Sequence, residues 1–209
     1  MFDYLLKKYQ HFARKVYMAG KSLRLKNMDF SLVSSNCNGG DILHDLKVPF
    51  RSPFAGLSCS PEDYLKLLGN LRGYMQCRLE FFKEEGISYP LARLNDITIH
   101  FVHYQSEEEA AQKWKRRAAR MNYDNLFILF SDRGACTEEH LKQFDSLPYK
   151  NKAVFVNHPR EDLSSAVYIR GFEELSSVGI CLYYKSRYSC KKHYDQFDYV
   201  KWFNTGSIR

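Results

Sequence analysis

At 209 residues, with 44% hydrophobic and 26% charged side chains, the chain can bury one sizeable core, and general disorder is excluded. Its net charge of +7 is concentrated at one end: residues 1–28 hold seven basic side chains against the single acid Asp3, a balance of +6. The remaining 181 residues carry only +1, so the body is not a nucleic-acid binder and the basic character belongs to an N-terminal arm.

Two units follow: a basic amphipathic helix over 1–28 and a single α/β domain over 29–209. In the arm, Leu5, Tyr9, Phe12 and Val16 recur at helical spacing, with lysines and arginines on the other faces. The pattern predicts a helix ending near Gly20. Such a helix suits either an anionic membrane surface or packing on its own domain with a solvated outer face. The six cysteines are scattered, with no Cys-x-x-Cys pair and no metal-finger spacing, which implies reduced thiols and a cytoplasmic setting. No leader is expected, and no apolar run approaches the ~20 residues that span a bilayer.

From Phe30 onward, strands and helices alternate. Phe30–Ser34 reads as a strand, handing over at Ser35-Asn36-Cys37-Asn38-Gly39-Gly40 to a short helix ending at Leu46. Ser60, Pro61, Glu62 and Asp63 mark the start of one helix running to Met75. Leu79–Phe82 reads as a strand, "GISYP" as a loop, and "DITIHFVHY" as a strand through Tyr104. A Ser106–Glu109 capping box opens the next helix. "NLFILFSD" is a buried strand, Thr137 caps a helix, and "KAVFVNH" is a further strand. "AVYIRGF" and "VGICLYY" read as short strands, and the aromatic tail as a docked helix. Apolar strands alternating with helices imply a three-layer α/β/α fold with a mostly parallel central sheet.

In such sheets ligands bind beyond the carboxyl ends of the strands. The residues expected there are Asn36 and Cys37, then His103, then Asp132 and Arg133, then Asn157 and His158. Cys37 at a helix start is placed to become a nucleophile, because the dipole and free N–H groups favour a thiolate. The Gly39-Gly40 amides offer an oxyanion hole. The competing reading makes Cys37 an inert small side chain and the glycines positive-φ turn residues. His103 is the candidate general base and Asp132 its orienter. Arg133 is a clamp for an anionic group, and Asn36, Gly39, Gly40, Asn157 and His158 are candidate substrate contacts. On a strand His100 points away from His103, so its expected fate is a satisfied buried histidine. His44-Asp45 lacks further ligands, so no metal is expected, nor any cofactor. The basic run Lys113–Arg120 reads as a solvated helix face, with binding of an anionic glycan or phosphate as the alternative.

The strings "SSNCNGGDILHDLKVPFRSPFAGL", "YPLARLNDITIHFVHYQSEEEAAQKWKRRAARMNYDNLFILFSDRGACTEE" and "QFDYVKWFN", within residues 28–204, resemble a bacterial family catalogued as a domain of unknown function. Its members are often labelled exopolysaccharide- or capsule-biosynthesis proteins. The resemblance implies a role in surface-polysaccharide assembly and brings no catalytic residues with it. Asn36-Cys37 after a strand and His103 after a second one are also similar to a group described as papain-like cysteine peptidases. That likeness implies Cys37 as nucleophile and His103 as base, although Asn38 and the glycine pair depart from the papain motif. The expected function is cysteine-dependent acyl transfer or hydrolysis on a glycan or anionic small molecule. The alternatives are a non-catalytic glycan- or partner-binding scaffold in peripheral contact with a membrane, and a nucleotide-sugar transferase.

Overall fold

The computed structural model describes residues 2–209 as a mixed α/β protein with two sheets. Helix α1 (Phe2–Arg24) precedes strand β1 (Ser31–Ser34) and helix α2 (Cys37–Leu46). Helices α3 (Pro61–Gly69) and α4 (Leu71–Tyr74) lead into a meander of β2 (Leu79–Phe82), β3 (Leu91–Leu94) and β4 (Ile97–His100). Helix α5 (Glu107–Ala118), β5 (Leu126–Ser131), α6 (Glu138–Ser146), β6 (Asn151–Val156) and β7 (Ala166–Tyr168) follow, and the chain closes on a 3-10 turn (His193–Gln196) and α7 (Tyr199–Thr205).

The main sheet is parallel throughout, in the order β1-β5-β6-β7, with Ser31 opposite Leu126 and Phe127 opposite Asn151. The other sheet is antiparallel, in the order β2-β3-β4. Strand periodicity divides the core. Leu32, Phe127, Leu129, Ala153 and Phe155 project to one face of the parallel sheet, among apolar residues of α1, α2 and α7. Val33, Ile128, Phe130, Val154 and Val156 project to the other, against α3, α5, α6 and the antiparallel sheet. Covered on both faces, these strands need no polar alternation, and they have none. Tyr64 on α3 ties the layers together: fully buried, it donates its hydroxyl to Val33 O at 3.0 Å and lies 3.1 Å from Leu129 O.

Several local expectations are corrected. His103 does not follow a parallel strand. β4 ends at His100 and belongs to the antiparallel meander, whose middle strand, β3, lies in a stretch with no strong strand signal. The predicted helix over 60–75 breaks at Asn70, whose side chain accepts from Gly73 N. "VGICLYY" forms no ladder strand and holds a single bridge, Tyr184 to Lys192. The caps hold: Ser60 accepts from Asp63 N, Ser106 from Glu109 N and Thr137 from His140 N. The Glu109 carboxylate, however, accepts from Gln105 N rather than from the cap residue itself.

The arm packs on its own domain, but with the unexpected face inward. Arg14 and Lys21 are each only 6% exposed. Arg14 binds Asp45 of α2 and Asp195 of the 3-10 turn and donates to Tyr194 OH at 2.9 Å, while Lys21 Nζ lies 3.2 Å from Asp195. The apolar stripe of Leu5, Tyr9, Phe12 and Val16 points to solvent. Among the described residues no helix is long and apolar enough to cross a membrane.

Candidate functional site

The turn after β1 is built by Asn36 and two glycines. Asn36, in extended conformation, caps α2 by accepting from Asn38 N at 3.0 Å, which makes Cys37 the first helical residue. Gly39 and Gly40 therefore sit in the first helical turn, and neither has positive φ. Their role is close approach. A Cβ on Gly39 would lie 2.5 Å from Ser34 Cβ, and one on Gly40 would lie 3.2 Å from Gly56 N. Gly39 N donates to Ser34 Oγ at 3.2 Å, so it is not a free oxyanion donor. Asn38 is buried and donates to Ser131 Oγ at 3.1 Å, tying α2 to the end of β5.

This packing aims Cys37 at the segment beyond β4. Sγ of Cys37 lies 3.1 Å from Nε2 of His103. His103 reaches the thiol because β4 stops at His100: Phe101 N bonds Pro90 O, Tyr104 N bonds Phe101 O, and the intervening turn presents the imidazole. Gly56 lies beside it at φ +77°, where an L side chain is strained, and a Cβ there would stand 3.5 Å from His103 Cβ. His100 is engaged elsewhere, with Nδ1 3.3 Å from Tyr89 OH.

The pair opens into a cleft of about 290 Å³ lined also by Asp41, His44, Phe50, Tyr104, Lys113 and Arg117. Sequence reasoning missed most of this wall, though its signal was present. Asp41 stands one helical turn after Cys37, and Lys113 and Arg117 are spaced four apart in the basic run read as a solvated face. Arg117 is in fact buried, donating to Tyr104 OH at 2.7 Å and to Ala55 O at 3.1 Å. A neighbouring cleft of about 460 Å³ holds Asn36, Cys59, His100, Ser131 and Arg133.

The expectation that the helix dipole depresses the Cys37 pKa is corrected. Burial pushes the thiol up and Asp41 adds to it; the Arg133 charge and the Cys37 N–H oppose them, and the net shift is upward. The other predicted residues divide. Arg133 is exposed and acts electrostatically on Cys37. The Asp132 side chain faces Cys136, Arg160 and His158; burial raises its pKa, and no contact joins it to His103. Asn157 is buried, and its amide donates to Leu175 O at 2.6 Å, which ties it to the 172–175 loop. His158 is exposed. Asp45 is held by Arg14 and Tyr194.

These observations define a class: an α/β protein whose parallel sheet and antiparallel meander meet at a cysteine–histidine pair in an open cleft. The chain belongs to the family described as Domain of unknown function (DUF1919), which matches residues 8–204. It is 48% identical over 181 residues to a Haemophilus influenzae (strain ATCC 51907 / DSM 11121 / KW20 / Rd) protein described as "Uncharacterized protein", covering 87% of each chain.

Proposed function

We propose that the chain is a cysteine-dependent acyl transferase or hydrolase built on a three-layer α/β/α frame, acting in the cytoplasm in surface-polysaccharide assembly. One observation carries the chemistry: the 3.1 Å approach of Cys37 Sγ to His103 Nε2 at the wall of a cleft. The pathway is the one that the sequence resemblance implies, and the six free thiols support the compartment.

As Sγ attacks the acyl carbon, its proton passes to His103 Nε2 and a tetrahedral oxyanion forms. Collapse expels the leaving group, which takes that proton, and leaves a thioester on Cys37. Water or an acceptor hydroxyl, deprotonated by the same imidazole, then releases the acyl group. The oxyanion donors are the Cys37 N–H, at the start of α2, and the Arg133 guanidinium, since the Asn38 and Gly39 amides are committed to Asn36 and Ser34. The same commitment weakens the nucleotide-sugar alternative, whose diphosphate needs those amides.

The test is acylation by p-nitrophenyl acetate followed by peptide mass spectrometry. Acetyl should accumulate on Cys37, disappear in Cys37→Ala, and form about 10²–10⁴ times more slowly in His103→Ala. Equal labelling of Cys37 and Cys190, unchanged in His103→Ala, would remove the mechanism.

A further inference from the structure

The outward face of α1 is more regular than an ordinary surface. Leu5, Phe12 and Ala19 recur every seven residues, and so do Tyr9, Val16 and Leu23. The two sets interleave at steps of four and three, the a/d seam of a two-stranded coiled coil. Leu5, Tyr9, Phe12, Val16 and Leu23 are 57%, 60%, 66%, 58% and 87% exposed, so the seam is left largely uncovered by the described residues. We propose that α1 pairs in parallel with α1 of a second copy of this chain.

Three features favour this occupant. Lys7, Arg14 and Lys21 fall on the face opposite the seam, and that face is where the domain sits. Two copies therefore join along the seam with their domains on the outside, free of collision. The charge pattern selects the direction. One flank carries Lys8 and Lys15, and the other carries Leu6, Ala13 and Gly20. In a parallel pair Lys8 faces the partner's uncharged position 13 and Lys15 its position 20, whereas an antiparallel pair sets Lys8 against Lys15. The area is also adequate. The helix runs about 34 Å at ~1.5 Å per residue, and its exposed large side chains approach the ~800 Å² per partner of a specific interface.

A lipid surface suits the ridge less well. An interfacial helix turns its basic polar face to the headgroups. Here Arg14 and Lys21 are turned inward to Asp45 and Asp195 and Arg24 is paired with Asp198, which leaves Lys7, Lys8 and Lys15 exposed on the helix.

Sedimentation velocity on the full chain at tens of micromolar should give twice the 24.6 kDa protomer mass. Phe12→Glu should give a monomer with unchanged far-UV circular dichroism, because that side chain is 66% exposed and lies outside both buried clusters. Position 20 tests the direction, since a Cβ there meets nothing within 4 Å. Gly20→Glu, facing the partner's Lys15, should tighten the dimer, and Gly20→Lys should loosen it. Their Kd values should differ about three- to tenfold at low salt and converge at high salt. A monomeric full chain, or a dimeric Phe12→Glu, overturns the proposal. So does a monomer that co-sediments with phosphatidylglycerol vesicles through Phe12, which assigns the ridge to lipid. Shifts of the same sign in both position-20 variants overturn the parallel pairing.

Discussion

Replacing Arg14 by Met tests what holds α1 to the domain. Arg14 and Asp195 have side chains 7% and 0% exposed, and breaking such a pair from one side leaves a carboxylate buried without its main partner. Losses of this kind run to about 3–5 kcal/mol. Asp195 keeps Lys21 Nζ at 3.2 Å, Tyr199 OH at 2.9 Å and Lys192 N at 2.8 Å, and Asp45 keeps Tyr194 and Lys192. Those residual contacts place the cost at the lower end, about 3 kcal/mol. For a chain of this size that is a fall in Tm of about 6–12 °C. The pH dependence adds a second reading. Burial raises the Asp45 pKa, but hydrogen bonds from Arg14 and Tyr194, with the Arg14 and Lys192 charges, outweigh it and hold the carboxyl below its ordinary range. A depressed folded-state pKa contributes stability that is fully present above the unfolded value near ~3.9 and is lost as pH falls through the folded one. The difference between wild type and Arg14→Met should therefore be largest near neutrality and shrink below about pH 4. Urea unfolding across pH measures it, with the exposed Lys15→Met as a control expected within about 0.5 kcal/mol of wild type. A loss under about 1 kcal/mol, or one independent of pH, would refute the view that this network anchors the arm.

Gly39→Ala should cost about 1–3 kcal/mol in urea unfolding, because its Cβ would meet Ser34 Cβ at 2.5 Å and Leu32 at 3.1 Å, so that β1 or α2 must shift. Iodoacetamide labelling of Cys37 against pH reports its electrostatics. Asp41→Asn removes a group that raises the thiol pKa and should move the profile to lower pH, while Arg133→Gln removes one that lowers it and should move the profile up. Unchanged profiles in both variants would show that burial alone, and not these two charges, sets the thiol's pKa.

Much of the α/β order was legible before any coordinates. The helix starts at Ser60, Ser106 and Thr137 are marked by side chains that bond backbone groups three residues on, an interaction needing no distant partner. β5 and β6 declared themselves as apolar runs because both faces of a parallel sheet are covered. The site was legible only as a set of candidates. Nothing local joins residue 37 to residue 103; their meeting depends on Gly39 and Gly40 letting α2 settle against β1 and the 55–56 loop, and on β4 stopping early. The same absence of local information hid the departure of Asp132 to Cys136 and of Asn157 to Leu175.

The chain's own periodicities thus determined that α1 would be an amphipathic helix, that strands and helices would alternate, and where most helices would begin. Tertiary structure alone decided which face of α1 turns inward, that the meander carrying His103 forms its own antiparallel sheet, and which polar groups share a cleft. The reason is range. Caps and hydrophobic repeats act over three or four residues, whereas Asp45 and Asp195 draw Arg14 inward across 31 and 181 residues of sequence. The inward face of α1 also packs Met18 and Tyr17 on the core, and no repeat within the helix distinguishes that face from the one carrying Leu5, Tyr9, Phe12 and Val16.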